Sequence, residues 1–166
     1  IQPDLIAISK GLTSGFLPMG ITLSKEKIFK SFVSDSPEKT FWHGHSFTAN
    51  PLGCAAANAS LDLLENKPNK YLKFQEKHLC LIKKFKNLSH IKKVRICGTI
   101  MAFELEIGTN SGYLNTIGKE IKSLAIEKGL FIRPLGNVIY LLPPLCITDN
   151  QLEMSYDIIY DIISKL

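Results

Sequence analysis

The sequence predicts an α/β chain in two parts. Three observations carry this. From residue 68 onward, hydrophobic periodicities succeed one another in the order helix, strand, helix, strand, strand, helix, the pattern of an α+β unit of about 100 residues. Residues 1–67 differ in character, with a short apolar run, a loop punctuated by glycine, and a helix of small residues. The composition is that of a folded domain: 45% of the 166 residues are hydrophobic and 21% charged, which excludes a disordered or fibrous chain. No apolar run approaches the roughly 18 residues of a membrane span.

Taken in order, Leu5-Ile6-Ala7-Ile8 reads as a buried strand. Such a strand needs neighbours, so the chain reads as the C-terminal piece of a longer protein. Gly11, Gly15, Pro18 and Gly20 then punctuate a loop. Ile21-Thr22-Leu23 reads as a second short strand, and Ser24 as the cap of a brief helix from Lys25 to Phe32. Residues 34–48 read as loop. Asn50-Pro51 is a helix start, because Asn caps well and proline's missing N–H has no partner at the first helical position. Leu52, Ala55, Ala56, Ala59 and Leu63 recur there at helical spacing, and the alanines permit close packing. Pro68 blocks continuation near Asn66-Lys67.

A second helix runs from about Lys70 to Asn87, with Tyr71, Phe74, His78, Leu81 and Phe85 on one stripe. His78 there reads as a packed helix residue rather than a ligand. Val94 to Ile107 is β-like, with alternation in Phe103-Glu104-Leu105-Glu106-Ile107. Ile117, Ile121, Leu124 and Ala125 mark another amphipathic helix, with Gly129 as its C-terminal cap. Strands at Leu130–Arg133 and Val138–Leu142 follow, joined by Pro134-Leu135-Gly136-Asn137. Thr148 and Gln151 form a capping box for a last helix that buries Leu152, Tyr156, Ile159 and Ile163.

Charge and cysteine usage narrow the partners. The net charge is +5, yet Lys67 to Arg95 carries nine Lys and one Arg against Glu76 alone. Such a block can mark a nucleic-acid or membrane surface. No aromatic or Arg-rich base-reading motif accompanies it, so it reads as a solvated helix face, with neither nucleic acid nor membrane as partner. Cys54, Cys80, Cys97 and Cys146 are scattered without a CxxC, and read as reduced packing residues in a cytoplasmic protein.

Three places could carry chemistry. Lys10 follows an apolar strand; burial there would lower its pKa and free the amine for Schiff-base chemistry, and the glycines after it would admit a flat cofactor. The segment Trp42-His43-Gly44-His45-Ser46-Phe47-Thr48-Ala49-Asn50-Pro51 sets small and hydroxyl residues before a helix N-terminus, which suits an anion such as phosphate. His43 and His45 lack further ligands at metal-binding spacing, so no metal is expected. Arg133 ends a strand before Pro134, and a rigidly held guanidinium can clamp a carboxylate.

Pro3-Asp4 through Lys10-Gly11-Leu12-Thr13-Ser14-Gly15, with Leu17-Pro18-Met19-Gly20, resembles the cofactor-lysine segment of the class III aminotransferases. These are pyridoxal 5′-phosphate enzymes of fold type I. Ser46-Phe47 through Asn50-Pro51-Leu52 resembles the family's later hydroxyl, aromatic and Asn-Pro segment. His43-Gly44 through Cys54-Ala55-Ala56-Ala57-Asn58-Ala59-Ser60-Leu61 and Arg133-Pro134-Leu135-Gly136-Asn137-Val138-Ile139-Tyr140-Leu141-Leu142-Pro143-Pro144 are similar to the branch that serves biotin synthesis.

The resemblance spans essentially the whole chain. It implies that residues 1–67 are the C-terminal part of the large cofactor-binding domain and 68–166 the small C-terminal domain. Lys10 would hold the cofactor covalently and act as general acid and base. Ser46 would contact the cofactor phosphate of a neighbouring subunit, with His45 beside it, in a homodimer. Gly44 would line the substrate site, where a side chain would obstruct, and Arg133 would bind the acceptor's carboxylate. The substrates implied are S-adenosylmethionine as amino donor and 8-amino-7-oxononanoate as acceptor, giving 7,8-diaminononanoate. The aspartate that pairs with the cofactor's pyridinium nitrogen would lie upstream of Ile1, so residues 1–166 alone should not catalyse. Two rival readings are an ω-aminotransferase acting on ornithine, 4-aminobutyrate or similar amines, and a non-enzymatic basic binding module.

Overall fold

A computed structural model describes residues 1–66, 69–107 and 112–166, with backbone alone at 69–72. The chain divides into two units, residues 1–68 and 69–166.

In the first unit, β1 (Leu5–Ser9) pairs antiparallel with β2 (Gly20–Ser24), from Leu5 opposite Ser24 to Ser9 opposite Gly20. The strand expected to be buried is largely exposed, since β2 is its one partner among the described residues. A 3₁₀ turn at Lys10–Thr13 follows β1 directly. The short helix α1 (Glu26–Phe29) is capped by Lys25 without a side-chain hydrogen bond. Ser24 is therefore the end of β2 rather than a helix cap. The helix α2 (Pro51–Glu65) starts where expected: Asn50 Oδ1 accepts from the Gly53 N–H at 2.7 Å. It presents Gly53, Ala57 and Ser60 as its buried face, and Ser60 Oγ meets Ser14 Oγ at 2.8 Å. The apolar stripe read from the sequence points elsewhere, with Leu52 71% and Leu63 64% exposed. The residues expected to end this helix, Lys67 and Pro68, lie outside the described residues.

The second unit sets three helices, α3 (Asn69–Leu81), α4 (Ile117–Glu127) and α5 (Asp149–Ile163), with an antiparallel sheet ordered β3 (Ile91–Cys97), β4 (Ile100–Leu105), β5 (Val138–Leu141). Alternation decides which side of the sheet is buried. Met101, Phe103 and Leu105 of β4 point inward, as do Ile139 and Leu141 of β5, and Phe103 pairs with Ile139 and Met101 with Leu141. Ile121 and Ala125 of α4 and Leu152, Tyr156, Ile159 and Ile163 of α5 complete this core. The Thr148–Gln151 capping box forms as expected. The end of α4 is a Schellman turn: the Leu130 N–H donates to Ala125 O and the Gly129 N–H to Ile126 O, with Gly129 at φ +82°.

Two expectations in this unit are corrected. The β-like stretch 94–107 is part of a hairpin, because the chain reverses at Gly98-Thr99 between β3 and β4. Residues 130–133 alternate in burial like a strand but join no ladder. Pro134 offers no N–H, and the pairing stops at a single bridge between Leu135 and Val138. The cysteines are also misjudged as packing residues: Cys80, Cys97 and Cys146 are exposed and all four are free.

Within the core, His78 is fully buried and tied at both ring nitrogens. Nε2 lies 3.1 Å from Thr99 O and Nδ1 lies 2.7 Å from the Tyr156 hydroxyl. A carbonyl only accepts, so Nε2 carries the proton and Nδ1 accepts from Tyr156. One neutral tautomer satisfies both contacts. Burial pushes the His78 pKa down and the Tyr156 pKa up. The side chain of Tyr71, expected on the same stripe, lies outside the described residues.

The basic block is exposed but substantially paired. Lys77 meets Asp149, and Lys84 meets both Glu153 (3.1 Å) and Asp157 (2.6 Å) on α5. Lys93 and Arg95 converge on Glu104 at 3.0 and 2.9 Å. These two hydrogen bonds hold the Glu104 carboxyl below its usual pKa.

Candidate active site

Lys10 sits at the junction of β1 and the 3₁₀ turn, where the chain must change direction at once. It takes up φ +51°, a left-handed conformation uncommon for a residue with a side chain. The Gly15 N–H donates to Lys10 O at 3.3 Å and closes the turn. Such conformations persist only where surrounding structure imposes them, and they concentrate at functional sites. The side chain is exposed, so the burial that would lower its pKa is not supplied by the described residues, and its amine has no hydrogen-bond or ion-pair partner among them. It borders a shallow cleft with Ser9, Gly15, Leu17, Pro18 and Met19.

Pro18 and Met19 also border a second cavity of about 520 Å³, whose walls include Phe41, His43, His45 and Thr48. The loop before α2 shapes this wall. The His45 N–H donates to Thr48 Oγ1 at 3.0 Å, the Thr48 N–H returns to His45 O at 3.0 Å, and the Phe47 N–H donates to His45 Nδ1 at 3.1 Å. His45 therefore spends its N–H inside this turn, and it is Thr48 that holds the turn closed. Sequence reasoning gave Thr48 no role; its hydroxyl three residues after His45 and two before the cap was the available signal. Ser46 lines neither cleft, and its hydroxyl makes no hydrogen bond among the described residues. A Cβ placed on Gly44 would meet nothing within 4 Å, so no described atom of this chain supplies the crowding expected there.

In the second unit, Arg133 lies immediately before Pro134 on a stretch outside any strand. The stretch keeps strand-like alternation without a ladder: Ile132 is buried while Phe131 and Arg133 face out. Arg133 borders an apolar cleft of about 310 Å³ with Phe131, Tyr140, Leu142 and Pro143. The two arginines differ in state. Arg95 is bound to Glu104, whereas the Arg133 guanidinium has no partner among the described residues.

Comparison with known proteins interprets this arrangement. The family model described as "Aminotransferase class-III" matches residues 1–163. The chain belongs to the class III aminotransferases. Adenosylmethionine-8-amino-7-oxononanoate aminotransferase of Synechococcus elongatus is 46% identical over the whole chain, which covers 39% of that relative's length. The enzyme of the same description from Geobacter sulfurreducens is 42% identical over 95% of the chain, covering 36% of its own length. The crystal structure of the Methanocaldococcus jannaschii enzyme so described matches 99% of the chain and 39% of its own, with a TM-score of 0.85 and 35% identity. The fold is thus that of the fold type I transaminases, and class III aminotransferases depend on pyridoxal phosphate.

The residues present fit that cofactor. Lys10 offers an amine at an enforced turn and Ser46 a hydroxyl four residues before the Asn50 cap of a 15-residue helix, both without a partner among the described residues. The chain spans 39% of the length of the first curated relative it matches.

Proposed function

We propose that this chain is the C-terminal part of a pyridoxal-phosphate aminotransferase that moves the amino group of S-adenosylmethionine to 8-amino-7-oxononanoate, giving 7,8-diaminononanoate for biotin biosynthesis. The observation that carries the reading is Lys10, held at φ +51° at the end of β1 with its amine unpaired among the described residues, inside a chain 46% identical to a relative so described. On this reading residues 1–67 close the large cofactor-binding domain and 68–166 form the small domain, in a cytoplasmic homodimer.

Bound pyridoxal phosphate supplies the electron sink that labilises the proton next to the substrate nitrogen. The chain's own groups do the rest. The Lys10 amine would hold the cofactor, and its Nζ would be the group that takes up and returns the labilised proton. The Ser46 hydroxyl would donate to the cofactor phosphate of the partner subunit, with the His45–Thr48 turn fixing its backbone. Gly44 leaves room for the substrate. Arg133 takes the acceptor's single carboxylate, and a planar fork orients it better than a lysine could. Its apolar cleft suits the acceptor's methylene chain.

The test is borohydride reduction of the full-length holoenzyme followed by peptide mapping. The cofactor label is expected on Lys10, and a label on another lysine overturns the assignment.

A further inference from the structure

The Arg133 side chain has no partner among the described residues, but the backbone that carries it is held. Residues 135–138 form a tight turn: the Leu135 N–H donates to Val138 O at 2.9 Å and the Val138 N–H to Leu135 O at 3.0 Å. Of its two central residues only Gly136 has positive φ, at +61°, the type II′ pattern that demands glycine there. Asn137 is 3% exposed and is held at both ends of its amide. Its Oδ1 accepts from the Gly112 N–H at 2.9 Å and its Nδ2 donates to Leu105 O at 2.9 Å. Its backbone carbonyl accepts from the Leu105 N–H at 2.9 Å. Gly118, in the first turn of α4, closes the other side. A Cβ there would fall 2.3 Å from Gly136 O and 2.8 Å from Pro134 Cβ. Pro134 is the residue next to Arg133, so the turn is gripped by β4, the 112 loop and α4 at once.

Resting on the carboxylate-binding role proposed for Arg133, we propose that Asn137 is a positioning residue for that arginine. A buried amide hydrogen-bonded at both its oxygen and its nitrogen rigidifies the segment around it. The turn that Asn137 anchors fixes the point and direction from which the guanidinium reaches out. A guanidinium whose anchor shifts by about 1 Å presents its fork off-axis, and misplacement on that scale costs as much as roughly 100-fold in a reaction that depends on orientation. Asn137 touches neither substrate nor cofactor; it acts through Arg133.

The experiment is a double-mutant cycle in the full-length holoenzyme, reading equilibrium binding of 8-amino-7-oxononanoate by calorimetry without donor. Asn137→Ser is expected to weaken binding on the order of tenfold, and to add nothing in the Arg133→Ala background. Equal losses in both backgrounds would mark Asn137 as a structural residue and overturn the inference. So would unchanged binding in Asn137→Ser alongside a loss in Arg133→Ala. If Arg133→Ala itself leaves binding unchanged, the carboxylate role of Arg133 falls and this inference falls with it. Should Asn137→Ser fail to fold, Gly118→Ala keeps the amide and displaces the same turn. It should show the same coupled loss, and an uncoupled one counts against the proposal.

Discussion

Replacing Tyr156 with phenylalanine removes one atom from the second unit's core and tests the buried polar pair. The ring contacts with Phe85 (5.8 Å between centroids) and the surrounding packing stay, so no cavity opens. What disappears is the hydroxyl that donates to His78 Nδ1 at 2.7 Å. The nitrogen is left buried without a donor, an omission that costs about 1–3 kcal/mol. The effect carries a pH signature. His78 has its pKa depressed by burial below 6.5, so the unfolded chain binds the extra proton first and stability falls as pH drops below 6.5. Tyr156 has its pKa raised by burial above 10, so its contribution is present below 10 and is lost as pH rises past that value. Urea unfolding of the full-length protein across this range is the assay. The variant should lose about 1–3 kcal/mol at neutral pH, lose the part of the alkaline decline that Tyr156 supplies, and keep the acid arm. Unchanged neutral stability, or an alkaline decline identical to that of the parent, would refute the reasoning.

Other expectations follow from exposed groups. Arg133→Ala removes a side chain without a described partner, so unfolding should stay within about 0.5 kcal/mol. Acceptor binding should weaken by roughly one to two powers of ten, because a charge-assisted contact is worth about 1.5–3 kcal/mol at about 1.4 kcal/mol per tenfold. Arg133→Lys should recover part of this, and an unchanged acceptor half-reaction in single-turnover kinetics would make Arg133 a structural residue. Residues 1–166 expressed alone should self-associate through the exposed Phe16, Leu52 and Leu63 of the first unit, 79%, 71% and 64% exposed. Sedimentation as a clean monomer at high concentration would contradict this.

Local signals determined much of this protein by themselves. The Asn50-Pro51 start of α2, the Thr148–Gln151 box of α5 and the Gly129 end of α4 all depend on backbone groups within a few residues, so their chemistry is written in adjacent letters. The α5 stripe is legible for the same reason, since Leu152, Tyr156, Ile159 and Ile163 recur at the helical period and face one core. The proposed site residues are legible as motifs: Lys10 in its glycine-flanked segment, Ser46 before the cap, Arg133 before its proline. Tertiary structure decided what depends on distant partners. Which face of α2 is buried was settled by the chain at 11–19, where Gly11 and Ser14 meet Ser60 and Met19 lies against Gly53, leaving Leu52 and Leu63 outside. His78 found its hydroxyl 78 residues away, and no local pattern could assign that bond. Residues 130–133 kept the alternation of a strand but not its ladder, because pairing is set by what lies alongside. Asn137 reads in the sequence as an ordinary turn residue. Only the folded chain, bringing Leu105 and Gly112 to its amide, turns it into the anchor beneath Arg133.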